Sequence, residues 1–185
     1  RAACGSALTD GAGADGRPLT LYLSPANSGV PYVPEAVRRL REAYPRAVLG
    51  LKDSSGDLDY SAGLARDLPG FAVFPSAEAA IGRAAELGFA GCISATANVT
   101  GPFAQAALTA PTAEARAAGL DRAVAIRTEI AKFPLVASVK ETLALLSAQS
   151  GWRRLMPPLS ALSADQSRRL AEALRAMLPL ADGRA

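Results

Sequence analysis

An α/β chain whose parallel strands give way to an all-helical tail is the fold class that this sequence predicts. Three observations carry it. Short runs rich in apolar, β-branched and aromatic residues alternate with helical patterns between Leu19 and Ser94, in repeats of roughly 20 to 30 residues, which is the signature of βαβ units. After Gly101-Pro102 the alternation stops and only helical patterns follow. Each short run also ends in small polar residues, at the strand ends where parallel α/β proteins build their sites.

Taken in order, residues 1–10 read as the tail of a helix and 11–16 as a glycine-rich loop. Leu19–Leu23 is the first strand, ending at Ser24-Pro25, and Ala26-Asn27-Ser28-Gly29 is a turn. A helix opens at Pro34-Glu35, because proline suits the first helical position and an acid in the first turn complements the helix dipole. Val37, Leu40 and Tyr44 mark its inner face. Ala47–Leu51 is the second strand, and a helix follows from about Tyr60 to Leu68. Phe71–Phe74 is the third strand, stopped by Pro75. Ala77–Leu87 reads as a helix with Ile81 and Ala84 inward and Gly88 as its cap, and Phe89–Ser94 as the fourth strand. The tail holds helices over about 102–108, 112–132, 135–148 and 163–178. Leu135, Val139, Leu143 and Leu146 share one face of the third, and Ser163 with Gln166 forms a capping box at the start of the fourth. Leu170, Leu174, Met177 and Leu178 face inward on that last helix, and Trp152 with Met156–Leu159 forms an apolar connector.

Composition narrows the chemistry. With 185 residues, half of them hydrophobic, the chain can bury a substantial core. The absence of histidine removes His-based acid–base catalysis, Ser-His-Asp triads and histidine metal sites together. No metal-ligand cluster or P-loop is present, so neither a metal nor a cofactor is expected. The net charge of +3 is scattered without a basic, aromatic-laced stripe, so nucleic acid is not an expected partner. No apolar run approaches the roughly 20 residues that span a bilayer, and no signal peptide is visible, so the expected location is the cytoplasm. Cys4 and Cys92 sit in small, apolar contexts and read as two buried thiols rather than a disulfide.

One residue stands apart. Lys52 ends the second strand in a chain that otherwise uses arginine for nearly all its positive charge, with Lys132 and Lys140 as the other lysines. Arginine stays protonated, whereas lysine can lose its proton and act as a nucleophile. A lysine amine partly withdrawn from water loses that proton more readily, attacks a ketone and forms an imine. A plain surface lysine snorkelling past a strand end is the alternative. Tyr22, Ser54, Ser76 and the Ser94–Asn98 segment lie at neighbouring strand ends, so an amine, a phenol, hydroxyls and amides converge, an inventory suited to carbonyl chemistry. For Tyr22 the alternative is a buried strand aromatic. For Ser54 and Thr96 it is a hydroxyl that caps a helix or turn.

Three segments, in this order, carry a family resemblance: Leu21-Tyr22-Leu23-Ser24-Pro25-Ala26-Asn27-Ser28-Gly29, Gly50-Leu51-Lys52-Asp53-Ser54-Ser55-Gly56-Asp57 and Gly91-Cys92-Ile93-Ser94-Ala95-Thr96-Ala97-Asn98-Val99. They resemble the second half of the dihydrodipicolinate synthase / N-acetylneuraminate lyase family of class I, pyruvate-handling aldolases. The resemblance implies a (β/α)8 TIM barrel, of which this chain holds the last four strands in residues 1–110, followed by a helical bundle in 111–185. It implies Lys52 as the Schiff-base lysine for pyruvate or another 2-oxo acid and Tyr22 as the proton-relaying phenol. The backbone at Ile93 would line the pyruvate site, and Ser54 would face the substrate. It also implies a homo-oligomer, a tetramer.

The sequence departs from the family in places. Asn27 stands where the synthases of lysine biosynthesis carry an arginine for the second substrate's carboxylate, and Leu23 stands in place of an asparagine. Pro25-Ala26-Asn27-Ser28-Gly29 and Ser76-Ala77 are more similar to members that cleave 4-hydroxy-2-oxoglutarate. The expectation is therefore an aldolase releasing pyruvate, with Asn27 and Ser76 at the substrate. 4-Hydroxy-tetrahydrodipicolinate synthase is the alternative. The family's first four strands, a threonine pair for the pyruvate carboxylate and a second tyrosine given across a subunit interface would precede Arg1. Their absence from this sequence makes a truncated chain, or a non-catalytic relative, a further expectation. A phosphate-binding barrel is disfavoured by the lack of a glycine-rich phosphate loop after the last strands.

Overall fold

A computed structural model describes residues 17–180. The expected helix tail, the glycine-rich loop and Cys4 lie outside the described residues. The chain divides into two compact units at Ile93/Ser94.

The first unit is built on a three-stranded parallel sheet in the order β1-β2-β3, with β1 Leu19–Leu23, β2 Val48–Asp53 and β3 Ala72–Pro75. A short helix α1, Pro25–Ser28, replaces the expected turn, and α2, Pro34–Ala43, then leads to β2. Helix α3, Leu58–Asp67, connects β2 to β3 and is capped by Asp57, whose side chain accepts from the Tyr60 backbone N–H. Leu21, Leu23, Val48, Leu51 and Val73 from the strands pack with Val37 of α2, Leu64 of α3 and Phe71, Ala84 and Phe89. Burial of this apolar face drives the unit's assembly.

Strand alternation then places Tyr22, Lys52 and Phe74 together on the opposite face of the sheet. Tyr22 pairs with Lys52 and Lys52 with Phe74, so the lysine sits within the hydrogen-bonded ladder, and β2 runs one residue past the lysine expected to end it, to Asp53. The tight point of this face is Gly50. A Cβ there would lie 2.4 Å from the carbonyl oxygen of Ala72, so only glycine lets β2 approach β3 this closely.

Two expectations are corrected here. Phe89–Ser94 does not form a fourth strand. It follows β3 through two backbone bonds, Ala90 N–H to the Val73 oxygen (3.0 Å) and Ile93 N–H to the Pro75 oxygen (3.1 Å). Three residues of this segment therefore match two of β3. The slip falls at Gly91, whose φ of +153° breaks the ladder. The Ala77–Leu87 helix is instead a 3₁₀ segment, Glu78–Arg83, followed by α4, Ala84–Leu87. Gly82, with its poor helix propensity, lies in the 3₁₀ part.

The second unit holds α5 (Ala97–Thr109), α6 (Ala113–Ile130), α7 (Leu135–Ser147) and α8 (Ala164–Leu174). Helix α5 starts earlier than expected and carries Pro102 within it. Its first turn is held by Thr96, whose carbonyl accepts from the Val99 and Thr100 N–H groups at 2.8 Å each. The capping box at Ser163 and Gln166 forms as the sequence indicates. Val99, Ile126, Ile130, Val139, Leu170, Leu174 and Leu178 make the core, with Leu143, Leu146 and Met177 against it. Leu135, which shares a face with Val139, Leu143 and Leu146 in the sequence pattern, is exposed on the first turn of α7. The buried Glu141 is the chief polar anchor of this unit. It accepts two hydrogen bonds from Arg153 (2.7 and 3.0 Å) and one from Ser167 (2.5 Å). Burial alone would raise its pKa, but these bonds outweigh it and hold the carboxyl below its ordinary value.

Candidate active site

The site grows from the register of β1 and β2. Because Tyr22 and Lys52 are direct partners on one face, the half-buried amine comes to lie over the phenol ring, with Nζ 3.9 Å from the ring centroid. This is cation–π distance, and it holds the long lysine side chain on one side of the sheet. Phe74, the partner on the other flank, supplies an apolar wall.

The phenol is chemically perturbed. Hydrogen bonding from Ser54, then Ser24, then the Lys52 amine outweighs desolvation and brings Tyr22 from its ordinary value of 10 down to about 8. Ser54 reaches it because the chain after β2 is fixed from below. Its backbone N–H donates to the Leu23 oxygen at 2.8 Å, continuing the ladder by one bond. The adjacent Asp53 is buried on the opposite face, where it accepts from the Ser55 N–H (2.7 Å) and the Ser61 hydroxyl (2.6 Å). Near it, burial first and the Asp53 charge second push the Tyr60 phenol up to about 12. Two tyrosines of one unit are thus driven in opposite directions, and only the low one faces the lysine.

The other expected residues have the following surroundings. The Asn27 side-chain amide donates to Ser24 Oγ at 2.8 Å and so turns toward its own chain. Ser76 lines a pocket with Asp53, Gly56, Leu58, Pro75 and Ala77, a lining that does not include Lys52 or Tyr22. Ile93 engages its N–H with Pro75, and its side chain is exposed. Cys92 is half-buried. Among the described residues, no group of three or more His, Cys, Asp or Glu could hold a metal ion, and no helix is long and apolar enough to cross a membrane.

A sequence profile described as the dihydrodipicolinate synthetase family matches residues 11–177. The chain belongs to this family. A 4-hydroxy-tetrahydrodipicolinate synthase from Thermus thermophilus is 41% identical over 85 residues, which cover 44% of this chain and 27% of the relative. A crystal structure of dihydrodipicolinate synthase from Agrobacterium tumefaciens superimposes with a TM-score of 0.68 at 29% identity, covering 87% of this chain and 54% of that one. A 2-keto-3-deoxygluconate aldolase from Sulfolobus, in complex with D-KDPG, shares the fold with a TM-score of 0.74 at 16% identity, covering 86% and 53%. This chain therefore spans about a quarter of that curated relative and about half of those solved ones.

Sequence reasoning about this family member missed Ser24 and Asp53. Ser24 follows Tyr22 by two residues, and strand alternation alone would have set it on the same side. Asp53 looked like a loop residue, because the ladder was expected to stop before it.

Proposed function

We propose that this chain carries the nucleophile and the proton relay of a Schiff-base-forming, pyruvate-handling lyase. The single observation behind this reading is the Lys52 amine held 3.9 Å over the Tyr22 ring by paired strands. In the neutral form, Nζ attacks the ketone carbon of a 2-oxo acid. Proton transfers convert the carbinolamine to an imine and release water, and the protonated imine draws electrons from the neighbouring carbon. Cleavage of the next C–C bond then releases an aldehyde and leaves the enamine of pyruvate. Protonation and hydrolysis of that enamine return pyruvate and the free amine; run in reverse, the same steps condense pyruvate with an acceptor. Tyr22, with a pKa of about 8, is matched to giving and taking these protons near neutral pH. Ser54 tunes the phenol from the side where substrate would lie.

In this reading the β1-β2-β3 sheet is part of a (β/α)8 barrel. The full enzyme is a homo-oligomer working in the cytoplasm. Residues up to 110 belong to the barrel half and 111–185 to its helical extension. Ser76, directly after β3, and the backbone at Ile93, in the segment that follows β3 through the Pro75 oxygen, serve the substrate.

Two substrate assignments have comparable support. Pro25–Gly29 favours cleavage of 4-hydroxy-2-oxoglutarate or a 2-keto-3-deoxy sugar acid, whereas the name of the Thermus relative favours 4-hydroxy-tetrahydrodipicolinate synthesis. Assaying pyruvate release from each 2-oxo acid beside synthase activity separates them. An aldolase releases pyruvate from one of the acids. Inertness toward all of them, with condensation activity intact, establishes the synthase.

A further inference from the structure

Arg127 of α6 is half-buried and reaches the turn that opens the helical unit, where one guanidinium nitrogen serves two hydroxyls. We propose that Arg127 is a positioning residue. By clipping Ser94 to Thr96 it fixes the chain directly after Ile93, whose backbone the lyase reading gives to the 2-oxo acid, and the inference rests on that reading.

Nη1 of Arg127 donates to Ser94 Oγ at 2.8 Å and to Thr96 Oγ1 at 3.1 Å, and the two hydroxyl oxygens lie 2.7 Å apart. The direction of that last bond follows from counting. Ser94 Oγ also accepts from the Thr96 backbone N–H at 3.2 Å, so with Arg127 both of its lone pairs are taken and its proton goes to Thr96. The Ser94 hydroxyl is then saturated and has nothing to offer a substrate. Thr96 stands at the N-cap of α5 and is fully buried, yet its side chain caps no helix N–H. A threonine there ordinarily spends its oxygen on an amide of the first turn. Here Ser94 and Arg127 hold it instead. The carbonyls of the turn are engaged as well: Ser94 accepts from the Ala97 N–H at 3.3 Å, and Ala95 from the Asn98 side-chain amide at 2.9 Å. Among the described residues, no hydrogen bond takes the carbonyl just before them, that of Ile93. The hydroxyls of the turn thus hold its shape, a charged donor locks them, and the backbone at Ile93 is left open.

The test follows the borohydride-trapped Lys52 adduct of the full-length protein as pyruvate concentration rises, with amide hydrogen exchange of residues 94–100 measured without pyruvate. Arg127→Met keeps the apolar stem of the side chain and removes the donors. It should raise the pyruvate concentration for half-maximal trapping about tenfold, the loss of one hydrogen bond to a charged group. The adduct at saturating pyruvate should stay at the wild-type level, because the lysine itself is untouched. Arg127→Lys, which keeps a charged donor, should recover most of the affinity. Exchange of the Thr96, Val99 and Thr100 amides should quicken in Arg127→Met. A half-saturation equal to that of the wild type overturns the proposal. So does a fall in saturating yield and Tm at unchanged half-saturation, the outcome of a merely structural arginine. If Arg127→Met does not fold, Ser94→Ala decides: it removes the acceptor and should raise half-saturation in the same way, and a wild-type value overturns the proposal. A wild type that forms no adduct refutes the lyase reading itself; exchange needs no substrate and then shows separately whether Arg127 holds the turn.

Discussion

Replacing Asp53 probes whether the lysine-bearing strand end is held from beneath. The carboxylate is 3% exposed and accepts from two donors, the fully buried Ser61 hydroxyl at 2.6 Å and the Ser55 N–H at 2.7 Å. Asp53→Ala leaves both donors without an acceptor. At about 1–3 kcal/mol for each unsatisfied buried group, and allowing for water reaching the exposed Ser55, the cost is about 2–4 kcal/mol. Asp53→Asn keeps the shape and one acceptor oxygen, so the cost is about 1–2 kcal/mol. Urea denaturation of the full-length protein measures both, with the midpoint falling and the slope unchanged. Two optical signals accompany the stability loss. The Tyr22 midpoint should rise from about 8, because the loop carrying Ser54 loses its anchor. Tyr60 should fall from about 12, because Asp53 contributes to raising it, though burial keeps it above 10. An Asp53→Ala protein within about 0.5 kcal/mol of wild type, with both tyrosines unmoved, would refute the anchoring role.

Other consequences follow from the same geometry. Gly50→Ala puts a Cβ 2.4 Å from the Ala72 oxygen and should cost at least about 1–3 kcal/mol in thermal denaturation by prising β2 from β3; an unchanged Tm would contradict the close approach. Glu141→Ala removes the carboxylate that Arg153 and Ser167 share in the helical unit and, because Arg153 reaches solvent, should destabilise it by about 1–3 kcal/mol, with urea unfolding as the readout. Stability should also vary with alkaline pH in two windows. The folded pKa of Tyr22 is depressed to about 8, so its contribution is present above the unfolded value of 10 and is lost as pH falls through 8. The ring is 52% exposed, so solvent screening leaves this at under about 1 kcal/mol. The folded pKa of Tyr60 is raised to about 12, so its contribution is full below 10 and lost as pH rises through 12. Tyr22→Phe should flatten only the lower window in pH-dependent unfolding, and a slope there that survives the substitution would reassign it.

The βα alternation was legible in the sequence because strand-length apolar runs and helical faces differ in period, and β1, α2, α3 and the capping box of α8 fall close to where that pattern puts them. Phe89–Ser94 was misread because its composition suits a strand, while the slip at Gly91 depends on how the chain meets β3 and Phe74. Lys52 and Tyr22 were visible as residue types at strand ends. Their pairing required the register, which the irregularity between Leu19 and Thr20 sets and composition does not reveal. Asn27 shows the limit most plainly: its side-chain amide donates to Ser24 Oγ, a contact that its position in a recognised segment does not indicate. Short polar side chains near turns often bond to their own neighbourhood, and sequence spacing does not say which partner wins.

The central claim, that Lys52 is a Schiff-base nucleophile, is tested most directly by trapping. The full-length protein is incubated with pyruvate, reduced with borohydride and digested, and the peptides are examined by mass spectrometry. The account predicts a reduced pyruvate adduct on Lys52, absent from Lys132 and Lys140 and abolished by Lys52→Arg. A folded protein that yields no adduct, or one that carries it on another lysine, would contradict the account.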